Sequence, residues 1–254
     1  MDLKLTDRRV IITGGSSGIG RASALAFAAE GARVGIVSRD EIGMARTLEL
    51  ASEAGHSLHS AVADVTDETA VADALKHLVD ELGGLDTLVH CAAVSGPVGR
   101  SLGDVSADEI RQTIDVNVVG AFIVAKAGLA HLEAATDATF VMIASDSAFV
   151  ASPDMVVYNA SKAAIVHMAR SLAVEWERAG IRVNTVSPSI VDTPMSRADL
   201  GIGEKGFVGV DYPVLTADDV ARAVLYLSST ASRGVNGHSL LMDFGYSARS
   251  SFPA

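Results

Sequence analysis

The sequence is poor in cysteine, in basic residues and in long apolar runs. One cysteine, Cys91, among 254 residues excludes an intrachain disulfide and a cysteine-based metal cluster, and suggests a reducing compartment. Twenty Lys and Arg stand against 31 Asp and Glu, a formal net charge of −11, and no run of basic residues occurs. Binding to a phosphate backbone is therefore not expected, and nucleic acid is excluded as a partner. No uninterrupted apolar stretch approaches the ~18 residues of a membrane span. The most apolar region, Val116 to Ala130, is broken by Asn117, Lys126 and several small residues. The start, Met1 to Val10, is charged and lacks the apolar segment of a signal peptide. A cytoplasmic protein with no membrane partner is expected. Disorder is excluded by 49% hydrophobic and only 20% charged residues. No repeat or linker divides the chain, so residues 1–254 are expected to form one domain.

What is present alternates. Strand-length apolar runs fall at Val10–Thr13, Arg33–Val37, His59–Ala63, Thr87–Val89, Thr139–Ala144, Arg182–Val186 and Ser239–Met242. Helical patterns lie between them at Ile19–Glu30, Met44–Ala54, Glu68–Leu82, Ala107–Leu132, Tyr158–Arg178 and Ala217–Ser228. Thr66, Ser106 and Thr216 are candidate N-caps, and Gly31, Gly55, Gly83 and Gly180 stand just past helix ends, where a left-handed residue is wanted. The alternation predicts an α/β fold with a seven-stranded parallel sheet, doubly wound and covered by helices on both faces. The stretch Pro194–Pro213 lacks periodicity and holds Gly201, Gly203, Gly206 and Gly209, which suggests a lid.

The first strand runs into Thr13-Gly14-Gly15-Ser16-Ser17-Gly18-Ile19-Gly20 and then an Ala-rich helix. Glycines let the backbone turn sharply and approach a pyrophosphate, and the helix start offers free N–H groups and a positive dipole end. The spacing, Gly-x-x-x-Gly-x-Gly, resembles the short-chain dehydrogenase/reductase family in its common form of about 250 residues. The resemblance extends from about Leu5 to Tyr246. It implies a Rossmann-like fold and a nicotinamide cofactor held by Gly14, Ser16, Ser17, Gly18, Ile19 and Gly20.

The second strand leads to Ser38-Arg39-Asp40. A carboxylate at this strand end would hold the ribose hydroxyls of NAD, whereas an arginine accommodates the 2′-phosphate of NADP. The family's acidic position falls on Ser38 and its arginine on Arg39, so NADP(H) is favoured and NAD(H) is the alternative. Asp40 stands close enough to serve the ribose if the strand ends a residue or two later. By resemblance, Asp64 would meet the adenine amino group, with Val65 packed beside it. The family's Asn-Asn-Ala-Gly is here His90-Cys91-Ala92-Ala93. Small Ala92 and Ala93 still permit close approach of the backbone to the cofactor, with Cys91 a small buried residue. His90 would have to supply the hydrogen bonds that steady the central sheet.

Tyr158 and Lys162 lie four residues apart, on one face of a helix. A tyrosine of pKa near ~10 suits acid/base work at neutral pH only if lowered, and a nearby ammonium would lower it. Ser145, thirteen positions earlier at a strand end, matches the family's serine, which hydrogen-bonds the substrate oxygen. Ser147 competes with it, since a two-residue register change would exchange them. Alternation points Asp146 away from the Ser145 face. Asn117, mid-helix among apolar residues, is either a core amide bonded to backbone or, by resemblance, the support of a water leading to the lysine. Pro188, Val191 and Thr193 match family positions at the nicotinamide end. Ser189 replaces a glycine there, adding a side chain where the backbone runs close to cofactor or substrate. Asp243-Phe244-Gly245 stands where relatives often carry Asp-Gly-Gly.

Together these imply an oxidoreductase that interconverts a secondary alcohol and a ketone, with Asn117, Ser145, Tyr158 and Lys162 as its catalytic group and no metal. Ser147, Phe149, Met155, Ser189, Met195 and Phe207 are candidate pocket residues, suited to an apolar or alicyclic small molecule, though each also fits core or lid packing. A reductase of carrier-bound 3-oxoacyl chains is the alternative, with Arg100, Arg111 and Arg170 as scattered contacts for an acidic carrier. A non-catalytic nucleotide sensor on the same fold is a further one. The family pairs the two long helices across a two-fold axis, which implies a homotetramer or homodimer.

Overall fold

A computed structural model describes residues 3–203 and 205–249. The ends of the expected 1–254 domain, and Glu204 in the 194–213 stretch, lie outside the described residues. Seven strands form one parallel sheet in the order β3-β2-β1-β4-β5-β6-β9. They are β1 Arg9–Thr13, β2 Arg33–Ser38, β3 Leu58–Val62, β4 Thr87–His90, β5 Thr139–Ile143, β6 Arg182–Pro188 and β9 Ser239–Met242. The helices are α1 Gly18–Ala29, α2 Glu41–Glu53, α3 Glu68–Leu82, α4 Ala107–Ile114, α5 Gly120–Glu133, α6 Val156–Glu175, α7 Pro194–Asp199 and α8 Ala217–Ser228. The doubly wound α/β architecture read from the alternation is present, with strand ends shifted by one or two residues.

Period-two alternation divides each strand between the two faces. Ile11, Val37, Leu88, Phe140 and Met142 face a core with Leu75, Leu78, Val124 and Ile165 from α3, α5 and α6. Val10, Ile12, Ile36, Val89 and Val141 face the other side, with Phe27 of α1, Met44 of α2 and Val224 of α8. Each such side chain, fully buried, contributes about 1.5–3 kcal/mol relative to exposure. Burial on both faces explains why the strands read as continuous apolar runs.

The strand ends are level. Thr13 pairs with Val37 and with His90, and His90 pairs with Met142. The loops that follow therefore open along one edge, on either side of the point between β1 and β4 where the winding reverses.

Helix ends follow their local chemistry. Ser106 with Glu109, and Thr216 with Asp219, form reciprocal capping boxes. Thr66 is not the cap of α3: Asp67 accepts the Ala70 N–H instead, and Thr66 bonds to Asp64. Gly31, Gly55, Gly83 and Gly180 all adopt positive φ past their helices, as expected.

The single helix read over Ala107–Leu132 carries a π-helical turn at Asp115–Val119 between α4 and α5. The helical run Ala107–Glu133 is long and apolar enough, by length and composition, to cross a membrane. Its Val124, Ala125, Gly128 and Leu132 are buried in this fold. A side chain at Gly128 would collide with Leu88 of β4. An unforeseen two-stranded sheet, β7 Val191–Asp192 with β8 Leu215–Thr216, ties together the ends of the irregular segment.

Arg182, buried in β6, clamps the far end of α8. Its guanidinium donates to the carbonyls of Leu227, Ser229 and Ser232 at 3.0–3.1 Å. Arg182→Met would remove three buried hydrogen bonds from a charged donor, although each carbonyl keeps a second partner in Ser232 or Val235, and should destabilise the fold by about 3 kcal/mol. Denaturant unfolding measures this, and an unshifted midpoint would show that the clamp contributes nothing.

Candidate active site

The loop after β1 is built for close approach. Gly14 has φ of +71°, and a side-chain carbon there would lie 2.7 Å from the Ala92 nitrogen. A carbon on Gly20 would collide with the Gly14 carbonyl. Ser17, at the N-cap of α1, makes no capping bond, and the first turn holds no acidic residue. The opening N–H groups of α1 thus meet no side-chain acceptor from Ser17, and the dipole end faces the cavity uncompensated by a carboxylate. That is the arrangement a pyrophosphate requires, so the residues present fit a dinucleotide. Arg21 braces the loop by donating to the carbonyls of Ser16 and Gly43.

At the end of β2, Ser38 donates to Ser16 at 3.0 Å and accepts the Asp40 N–H at 3.1 Å. The Asp40 carboxylate caps α2 by accepting the Gly43 N–H at 3.0 Å through one oxygen, and Asp40 also lines the cavity. Arg39 meets Asp64 at 2.9 Å. The Thr66 N–H and hydroxyl, with Arg39, hold the Asp64 carboxyl below its usual range against the opposing effect of burial. Sequence spacing did not foresee this pair, which ties the expected 2′-phosphate and adenine contacts to each other.

After β4, His90 performs the sheet-bracing role expected of it: Nδ1 and the Thr13 hydroxyl are 2.8 Å apart. Burial, reinforced by the positive charge of Lys162, lowers its pKa to about 3, so the imidazole is neutral. Its Nε2 is buried without a hydrogen-bond partner. Burial also raises the Cys91 thiol to about 12, which makes it inert.

Asn117 lies in the π turn. Its Oδ1 accepts the Val94 N–H at 2.8 Å, and its Nδ2 donates to the Val94 carbonyl at 2.8 Å and to Ser161 Oγ at 3.0 Å. Both amide donors are therefore engaged, as in the core reading, and one lone pair of Oδ1 remains for a water.

Tyr158 and Lys162 sit on one face of α6, with Nζ 5.6 Å from the ring centroid. Lys162 is 3% exposed and donates to the Ile143 carbonyl at 3.0 Å. Burial lowers its pKa to about 8. The expected lowering of Tyr158 is absent: burial raises the phenol to about 12, with Ser145 opposing and Asp146 and Asp199 adding to the rise. Desolvation outweighs Ser145, the one cause that favours the phenolate.

Ser145, two residues past the end of β5, faces Tyr158 and favours its ionised form against the effect of burial. Ser147 belongs to the turn Asp146–Ala148 and gives its N–H to Ser145 Oγ. The alternation argument for Asp146 fails because the strand ends at Ile143. In the turn its carboxylate comes back to accept the Ser145 hydroxyl at 3.0 Å.

These groups line one cavity of about 900 Å³ along the carboxyl edge of the sheet. All the expected cofactor residues reach it, including Ile19, Val65, Ala92, Ala93, Pro188, Val191 and Thr193, as do Ser145, Tyr158 and Lys162. Asn117 stands behind the wall, 1% exposed. Ser147, Met155, Ser189 and Met195 also line it. Two expected pocket residues do not. Phe149 turns outward, 44% exposed, because the turn after β5 reverses the chain, and Phe207 is buried away from the cavity. Leu200, Tyr212 and Tyr246 were missed. Only their positions in the irregular segment and the tail hinted at them.

A doubly wound sheet with an anion-ready glycine loop, and with serine, tyrosine and lysine at the mouth of the same cavity, defines a dinucleotide-binding oxidoreductase site. A family model described as enoyl-(acyl carrier protein) reductase matches residues 14–247. The chain is 36% identical over 245 residues to a mitochondrial borneol dehydrogenase of Lavandula x intermedia, covering 96% of this chain and 92% of that one. It resembles a short chain dehydrogenase from Burkholderia cenocepacia J2315 solved with NADP, at TM-score 0.85 and 32% identity, covering 97% of this chain and 100% of that one. It also resembles one from Mycobacterium paratuberculosis bound to NAD, at TM-score 0.86 and 28% identity, over 97% and 100%. The chain belongs to the short-chain dehydrogenase/reductase family. It is an NAD(P)-dependent oxidoreductase.

The raised thiol of Cys91 generates a direct check. At pH 8 the native protein should fail to react with an aromatic disulfide reagent over a time in which the unfolded chain releases one equivalent. Rapid labelling of the native protein would contradict the raised pKa of that thiol, which is partly exposed on the cavity wall.

Proposed function

We propose that the protein interconverts a secondary alcohol and a ketone with a nicotinamide cofactor, NADP(H) in preference to NAD(H). The observation that carries this reading is the convergence of Ser145, Tyr158 and Lys162 on the cavity that the glycine loop opens into. The cofactor, when bound, supplies or accepts the hydride and, oxidised, brings a positive ring that favours the phenolate. The chain's own residues handle the proton and the oxygen. Tyr158, protonated at rest, gives its proton to the carbonyl oxygen in reduction and takes it back in oxidation. Ser145 hydrogen-bonds the same oxygen and fixes its distance from Tyr158. Lys162 is the remaining cation beside the tyrosine. Asn117 holds the Val94 loop and α6 in place, and its spare lone pair suits a water on the way to solvent.

NADP(H) is favoured by Arg39, whose forked donors match phosphate oxygens at the adenosine end. The substrate is read as a small neutral molecule with apolar surface, because Val98, Val150, Met155 and Leu200 share the wall with the reacting groups. The borneol dehydrogenase relative supports an alicyclic alcohol. We take the described chain as one domain, with 194–213 as a lid over the cavity, since Met195, Leu200, Tyr212 and Pro213 wall it. Exposed Val119, Phe122, Val156 and Val174 on the long helices support self-association, with a homotetramer as the expected form. The family description favours a second reading, an acyl group delivered on a carrier protein. Against it, Arg100 and Arg111 are engaged by Glu109 and Asp108.

Tyr158→Phe should lower turnover by about 10²–10⁴-fold while NADPH affinity stays within about twofold. A nicotinamide-absorbance screen of ketones and secondary alcohols, with a fluorescence titration of cofactor, reads both. Retained turnover sinks the assignment. Arg39→Ala should weaken NADPH binding about tenfold or more and leave NADH nearly unchanged. Equal losses for the two cofactors would refute the preference.

A further inference from the structure

Asp146 bonds to a proposed reacting group, and the reading above leaves it without a role. Ser145 Oγ donates to Asp146 Oδ1 at 3.0 Å and accepts the Ser147 N–H at 3.1 Å. Both side chains line the cavity. A hydroxyl has one proton and two lone pairs. With the proton on Asp146 and one lone pair on Ser147, Ser145 keeps a single acceptor site, which Tyr158 faces at rest and a substrate oxygen takes when it enters between them. Tyr158, protonated at rest, donates to the oxygen of either an alcohol or a ketone. Only the alcohol then has a proton left for Ser145. To donate to a ketone, Ser145 must turn away from Asp146 and deprive a partly buried carboxylate of a hydrogen bond.

We propose that Asp146 is a positioning residue that holds the Ser145 hydroxyl as an acceptor, so that the site binds a secondary alcohol more tightly than the corresponding ketone. The proposal rests on the reading of Ser145 as the group that touches the substrate oxygen. It assigns a direction to a hydrogen bond that the fold leaves open. It also predicts a pH dependence. The charged and titratable groups facing Asp146 are Tyr158 from α6 and Asp243 after β9. Burial raises the Asp146 carboxyl above its ordinary value, Asp243 adds to the rise, and Ser145 and Ser147 oppose it. As pH falls through that raised value, a protonated Asp146 carries its own hydrogen and frees the Ser145 proton for a ketone. The preference for alcohol therefore declines towards acid.

The test uses enzyme loaded with one redox-inert cofactor for both ligands, a tetrahydronicotinamide dinucleotide whose neutral ring leaves Tyr158 protonated, and cyclohexanol and cyclohexanone as the probes. Saturation-transfer NMR gives the two dissociation constants. The ratio of the ketone constant to the alcohol constant should fall about tenfold in Asp146→Ala, and less in Asp146→Asn, whose amide oxygen can still accept. In wild type the ratio should also fall as pH is lowered, and in Asp146→Ala it should stay flat. The wild-type pH series needs no folded variant. The proposal is overturned by a ratio unchanged in both variants, by equal shifts of both constants, by a pH-independent wild-type ratio, or by failure of either probe to bind wild type. A wild-type enzyme that shows the preference but oxidises no alcohol would sink the alcohol dehydrogenase reading and support this one.

Discussion

The close approach of two strand ends, Thr13–Gly14 against His90–Ala92, is the contact on which the site depends. Parallel pairing puts Thr13 opposite His90 in the register of β1 and β4, and their side chains bond at 2.8 Å. The next residue must then pass within contact of the Ala92 backbone, where a glycine fits without displacing the neighbouring chain. From there a line of hydrogen bonds runs outward. Val94 is held through its N–H and C=O by Asn117. Asn117 donates to Ser161, and Ser161 donates to the Tyr158 carbonyl at 2.8 Å. The phosphate loop and the tyrosine belong to different elements, yet each is located relative to β4. A displacement at Gly14 would be felt at both.

The same compactness sets the electrostatics. Lys162 and His90 are both pushed towards neutrality and Tyr158 and Cys91 are both pushed towards their protonated forms, and burial is the leading cause each time. A neutral His90 matters because a second cation beside Lys162 would lower the lysine further. Among the described residues lining the cavity, Arg39 and Lys162 are the only lysine or arginine side chains, one at the adenosine end and one at the reacting end. In a chain of net charge −11, attraction for a polyanionic cofactor then comes from local fields: these two cations and the uncapped start of α1.

Much of this was legible in the sequence because the signals are local or periodic. Strand runs, glycines past helix ends and the two capping boxes each depend on a few neighbouring residues. The spacing of Tyr158 and Lys162 is a property of one helix. Ser145 was placed by a strand end just before it and by its spacing of thirteen from Tyr158, which matches the family's serine. What escaped depends on departures from regular geometry or on distant partners. Asp146 was assigned to the wrong face because alternation was carried past Ile143 into a tight turn. The π turn that aims Asn117 at Val94 leaves no mark in a 3.6-residue pattern. The Arg39–Asp64 pair joins the ends of two strands, and nothing local in either stretch announces it. Phe207 and Phe149 were grouped as pocket residues on chemistry alone, which does not distinguish a wall from a core or from an outer surface.

Two departures from the family pattern separate cleanly by backbone conformation. Ser189 stands where the family has glycine, and it is absent from the described residues with positive φ. Its N–H continues the ladder by donating to the Met242 carbonyl at 3.0 Å. A side chain there meets no conformational penalty, so the substitution acts on the cavity it lines rather than on the fold. Phe244 is the opposite case. It adopts φ of +55°, a region that costs a side-chain-bearing residue about 1–2 kcal/mol, and its ring is 52% exposed. The turn is held from within: Asp243 accepts the N–H groups of Gly245 and Ser247 at 2.9 and 2.8 Å. Those bonds offset the strain and bring Tyr246 and Ser247 to the cavity wall. The chain thus makes this turn with a phenylalanine in the left-handed region.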